Sequence, residues 1–146
     1  MASTVWAIDL LRFVPRLVAH SNVIPSPAVA LLALIEYKRF LLLHALAPWG
    51  TRLAPSPAVD AVWHEHILDT AAYRADCDSI FGRFLDHSPS FGGENDTALL
   101  ESRYHHTLET YEQGFGRAPD ARMWPSFGAT AGGGGTTPGF FPSCCS

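Results

Sequence analysis

The sequence predicts an all-α fold, a compact bundle of about four helices with a Gly-rich flexible C-terminal tail, and three observations lead to it. No segment shows sustained alternation of apolar and polar residues between turn signals, so no strand is expected. The stretch Pro25-Ser26-Pro27-Ala28-Val29 recurs as Pro55-Ser56-Pro57-Ala58-Val59, and each copy reads as a helix start. Serine offers a side-chain oxygen to the free N–H groups of a first turn, and proline at the first helical position gives up a hydrogen bond that would not have formed. Leu100, Tyr104, Leu108, Tyr111 and Phe115 follow one another at spacings of four, four, three and four, the stripe of a helix lying against a core.

The elements follow in order. An N-terminal helix is expected from about Ser3 to His20, with a break or kink at Pro15. The first repeat starts a helix from about Pro27 to Leu46, ended by Pro48 and Gly50; the second starts one from about Pro57 to Phe81, ended by Gly82. After a loop rich in Gly, Ser, Pro and Asn, a last helix runs from roughly Asp96 to Gln113 and is ended by Gly114 and Gly116. Helices of this size joined by short loops bury their apolar stripes only against one another, which makes residues 1–125 a single helical domain. From Ser126 onward the chain passes into four consecutive glycines, Gly132 to Gly135, and residues 126–146 are expected to form a flexible tail.

Composition narrows the class. A chain of 146 residues fits one domain, and 47% apolar with 16% charged residues excludes both a disordered chain and a solvated coiled coil. Net charge is −4 and the ten basic residues are scattered, so no nucleic-acid partner is expected. Cys77, Cys144 and Cys145 make no disulfide framework, and the first apolar stretch has no basic region before it and is interrupted by Asp9. An intracellular, cytoplasmic location is the expectation. Glu36, Lys38 and Arg39 sit in the middle of the most apolar segment, Val29 to Trp49, so no transmembrane segment is expected. There is no Gly-rich phosphate loop, no nucleophile elbow and no zinc-ribbon spacing, which leaves open whether the chain is an enzyme.

The second repeat's helix holds the unusual residues. Drawn as one regular helix, it puts Val59, Val62, Trp63, Tyr73, Cys77, Ile80 and Phe81 on one face, with His66 and Thr70 inside that stripe and Asp69 at its edge. A buried imidazole needs partners for both ring nitrogens, and the favoured reading is a structural His66 held by Asp69, a backbone carbonyl or a buried tyrosine. Asp60 and His64 stand one turn apart, as in carboxylate–histidine units that orient an imidazole for metal or proton transfer, though an exposed first turn favours the same pair. His64 and His66 diverge on a regular helix, and Cys77 lies eleven residues beyond His66, ~16 Å along the axis, too far to share an ion and best read as a small buried hydrophobe. His87, in a loop with Gly92 and Gly93, is the best third histidine, whereas His105 falls on the flank of its helix's stripe and His106 points mostly away. His44, beside Phe40 and Tyr37, is expected to be structural, and Tyr37, Tyr73, Tyr104 and Tyr111 to be core residues with polar tips.

Several of these residues carry a resemblance. Glu36-Tyr37-Lys38-Arg39-Phe40-Leu41, the run from Pro55 through Trp63-His64-Glu65-His66-Ile67-Leu68-Asp69-Thr70, Tyr73, Asp76-Cys77, Phe81 to Leu85, and Phe91-Gly92 resemble the glycine-rich domain-containing protein-like family. The resemblance covers roughly Glu36 to Phe115, and the Gly-rich end is in keeping with that family's name. It implies motif positions at Asp60, Trp63, His64, His66, Asp69, Tyr73, Cys77 and His87, and it implies no defined activity. Many members of that family have Leu-His-His-x-Pro-x-Phe-Gly in the loop, where this chain has Asp86 at the first of the two histidines.

Two functions fit these residues. The favoured one is a binding or scaffold module with a protein partner and structural histidines. The alternative is a metal-binding protein or small metalloenzyme using Trp63-His64-Glu65-His66 with His87, in which His64, His66, His87, Asp60 and Asp69 supply ligands to zinc, iron or copper.

Overall fold

The computed structural model describes residues 1–128. Along them run α1 (Ala2–Ala7), α2 (Val14–His20), α3 (Pro27–Leu46), α4 (Pro57–Leu68), α5 (Thr70–Phe81) and α6 (Glu94–Phe115), with no strand among the described residues. The all-α class is as the sequence predicts; the helices are more numerous because two expected helices are each divided in two.

Both serine–proline repeats start helices as expected. Ser26 Oγ accepts from the Val29 N–H at 3.3 Å and Ser56 Oγ from the Val59 N–H at 3.2 Å, with Pro27 and Pro57 opening α3 and α4. The N-terminal break lies elsewhere than Pro15. Ile8 leaves α1 in extended conformation, the Asp9 carboxylate accepts the Leu11 N–H at 3.1 Å, and a 3-10 turn, Leu11–Phe13, leads into α2. Pro15 sits in the first turn of α2, where its missing N–H costs nothing and its ring causes no break. At the other end Gly114 stays helical and α6 ends at Gly116, whose φ of +69° is the left-handed cap that glycine adopts freely.

α3 is the centre of the fold and packs on α1, α2, α4 and α6, burying Ala33, Tyr37, Phe40 and Leu41. Its charged residues clamp neighbouring segments. Glu36, only 4% exposed, pairs with Arg39 and accepts from Tyr111 Oη at 3.0 Å and Trp124 Nε1 at 2.9 Å, holding α6 and the chain after it. Lys38, the only lysine in the sequence, donates to the carbonyls of Trp6 and Ile8, both at 2.8 Å, where α1 leaves carbonyls without helical partners. The segment after α6 folds back on the core: Tyr104 Oη donates to the Pro125 carbonyl at 2.6 Å, and the Phe127 ring lies 5.9 Å from that of Tyr104. Of the expected flexible tail, Ser126 to Gly128 thus lie beside α6, and the remainder, with Gly132 to Gly135, Cys144 and Cys145, lies outside the described residues. No helix among the described residues is long and apolar enough to cross a membrane.

Candidate functional site

The helix expected over Pro57–Phe81 is interrupted at Asp69, whose ψ of 70° is not helical. Asp69 closes α4 and caps α5, its carboxylate facing the Ala72 N–H at 3.5 Å while Arg12 holds the other oxygen at 3.0 Å. The change of axis alters every face drawn on a continuous helix. Thr70, expected in the buried stripe, is exposed, whereas Trp63, His66, Tyr73, Cys77 and Ile80 are buried as expected.

His66 has two side-chain partners, neither of them Asp69. Nδ1 lies 2.9 Å from Tyr37 Oη and Nε2 lies 2.9 Å from Asp76 Oδ2. On a continuous helix Asp76 would be ~15 Å away; the turn at Asp69 folds α5 back, so the axial separation used for His66 and Cys77 does not hold. The buried tyrosine is the partner foreseen as one option, and Asp76 is the partner the helical wheel hid. Burial lowers the His66 pKa, opposed by its hydrogen bond to Asp76 and that carboxylate's charge. The set is satisfied when Tyr37 donates to Nδ1 and a neutral imidazole donates from Nε2 to Asp76. Beside it Trp63 Nε1 donates to Tyr73 Oη at 3.0 Å, and Tyr73 donates to the Leu85 carbonyl, tying α4, α5 and the following connection together.

Asp60 meets His87 instead of His64. The contact, Asp60 Oδ1 to His87 Nε2 at 2.8 Å, draws the α5–α6 connection down onto α4, and the His87 ring packs on Trp63 at 4.0 Å between centroids. His64 makes no hydrogen bond or ion pair among the described residues. The five candidate ligands therefore occupy separate places: Asp60 with His87, His66 with Tyr37 and Asp76, Asp69 with Arg12, and His64 alone. No group of three or more His, Cys, Asp or Glu side chains able to hold one metal ion occurs among the described residues.

Next to the Asp60–His87 contact lies a cavity of about 260 Å³. The α3–α4 connection supplies Pro48, Trp49, Arg52 and Leu53, the α5–α6 connection supplies Asp86, His87 and Ser88, and α6 supplies Leu100 and Arg103. His44 and Trp63 also line it. The His44 ring is held edge-on by Phe40 at 4.7 Å, and its Nε2, shielded from solvent, has no hydrogen-bond partner among the described residues. Burial lowers the His44 pKa from 6.5 to about 4, so the ring is neutral near pH 7. Sequence reasoning gave His44 a structural role and passed over Arg52 and Arg103, because three distant segments meet here and no local spacing marks them.

The UCP032817-like family model matches residues 17–102. No match was found among curated proteins or solved structures. The family match overturns the resemblance to glycine-rich domain-containing proteins. The motif residues behind that resemblance fall inside the matched span, whereas the glycine run at 132–135 falls outside it and is a compositional feature that many unrelated tails share. The matched span begins in α2, takes in all of α3, α4 and α5, reaches into α6 and includes most of the cavity lining. It is more than half of the 146 residues, and the chain belongs to the UCP032817-like family.

Proposed function

We propose that this protein is a binding module whose ligand is a small molecule held in the cavity between the α3–α4 connection, the α5–α6 connection and α6. The observation that carries the reading is the cavity itself, where apolar Pro48, Leu53 and Leu100 and polar Arg52, Ser88 and Arg103 come together from three separate segments. The surroundings agree with a ligand site. Small-molecule pockets are mostly apolar with a few polar groups and usually hold ~300–1,000 Å³, so a cavity of about 260 Å³ suits a compact ligand. Its walls are braced from behind by the Asp60–His87 and Trp63–Tyr73 hydrogen bonds, which favours a pre-formed site over a surface that reshapes on binding.

A fragment screen by two-dimensional NMR on the isotopically labelled chain tests this reading. Fragments are expected to shift the signals of Trp49, Trp63 and His44, and to lose that effect in Leu100→Trp, which fills the cavity from α6. If no fragment shifts those signals, or if Leu100→Trp responds like the parent, the cavity is not a ligand site.

A further inference from the structure

We infer that the ligand of this cavity is a compact organic acid, a single carboxylate on an apolar body, with Arg52 and Arg103 reading the carboxylate; the inference rests on the binding function proposed above. The cavity walls divide into two kinds of surface. Pro48, Leu53 and Leu100 offer apolar contact, while Arg52 and Arg103 join the lining from different segments.

Of the nine arginines, Arg52, Arg74, Arg83, Arg103 and Arg117 form no ion pair among the described residues, and of these Arg52 and Arg103 line the cavity. Arg12, Arg16, Arg39 and Arg122 each meet a carboxylate within the protein. Arg52 instead donates to the Ser88 hydroxyl at 3.2 Å, and neither Arg52 nor Arg103 forms an ion pair among the described residues. Asp96, the acid whose titration feels Arg103, is already engaged by the Ser90 hydroxyl and by the N–H groups of Phe91 and Gly92. In a chain of net charge −4, two cavity-lining arginines that form no ion pair among the described residues offer donors matched to an oxyanion.

Asp86 in the same lining restricts the choice further. Its charge disfavours a dianion, and the apolar walls give a bare inorganic ion nothing to contact. A monocarboxylate with an apolar body satisfies both arginines, leaves Asp86 tolerable and fills the rest of the space.

The test is an NMR titration of the full chain with benzoate, with its neutral counterpart benzamide, and with inorganic phosphate. Benzoate is expected to shift the cavity signals saturably, about tenfold or more tighter than benzamide, with phosphate weaker than benzoate. Arg52→Gln and Arg103→Gln are each expected to weaken benzoate about tenfold and benzamide much less, with the circular dichroism spectrum unchanged. Benzamide binding as tightly as benzoate overturns the charge assignment and leaves the binding function standing. Phosphate binding tighter than benzoate overturns the apolar body. If none of the probes shifts a cavity signal, the acid assignment fails, and a fragment screen that also finds nothing removes the binding function with it.

Discussion

His66 Nε2 and Asp76 Oδ2 stand 2.9 Å apart although they are ten positions apart in the chain, a contact that exists only because the chain turns at Asp69. The turn converts what reads as one long helix into two packed ones and seals a histidine between a tyrosine from α3 and a carboxylate from α5. His66 is 1% exposed and Tyr37 is fully buried, so neither imidazole nor hydroxyl has water as a substitute partner.

Tyr37→Phe removes the hydroxyl that faces His66 Nδ1 and leaves that nitrogen unpaired in the core. The expected loss is about 1–3 kcal/mol in urea unfolding, with helicity and the denaturant slope unchanged. A loss too small to measure would mean that His66 finds another partner.

Acid is expected to destabilise the fold through two histidines. The His44 pKa falls from 6.5 to about 4 by burial, and that of His66 is also lowered by burial against the pull of Asp76. In each case the unfolded chain takes up a proton at a pH where the folded one does not, so stability is full above pH 6.5 and declines as pH falls toward 4. For His44 the difference corresponds to at most on the order of 3 kcal/mol. Urea midpoints measured from pH 7 down to 4.5 follow this slope, and His44→Gln, which cannot titrate, flattens it. An equal slope in the variant would assign the effect to other groups.

Glu36 is the third stability determinant open to test. Its carboxylate receives Arg39, Tyr111 and Trp124 together, so Glu36→Ala strands several donors at once. The expected cost is about 3–5 kcal/mol, the usual penalty for removing one partner of a buried charged pair. Protease cleavage at Arg117 and Arg122 is expected to quicken in the variant, since Trp124 loses its anchor on α3. Stability equal to the parent would show that the cluster is dispensable.

Metal addition probes the histidines directly. His64, His66, His87, Asp60 and Asp69 are distributed over separate contacts, so zinc, iron(II) or copper(II) is expected to leave the thermal midpoint unchanged. A stoichiometric rise that disappears in His87→Ala would instead show that donors gather around the Asp60–His87 contact.

The starts of α3 and α4 were legible because a capping serine and the proline after it act within one turn, whatever the rest of the chain does. Asp69 was not legible by the same means. It carries neither the glycine nor the proline that usually marks a helix end, and the residues on both sides suit a helix. A helical wheel carried straight through Asp69 loses the true axis beyond it, so it puts Thr70 inside and hides Asp76 from His66. The burial of Tyr73, Cys77 and Ile80 is foreseen all the same, because apolar character decides it irrespective of the axis. Arg52, Arg103 and His44 meet only in three dimensions, so no spacing in the sequence joins them.

Lys38 gives the N-terminal segment a chemical reporter. The chain has one lysine, and its amine is engaged by two backbone carbonyls at the end of α1. An amine-directed acylating reagent therefore has a single side-chain target, Lys38, whose hydrogen bonds to the end of α1 are expected to slow its labelling. Acylation removes the charge and leaves one N–H where two carbonyls were held, so a labelled chain is expected to grip the end of α1 more weakly.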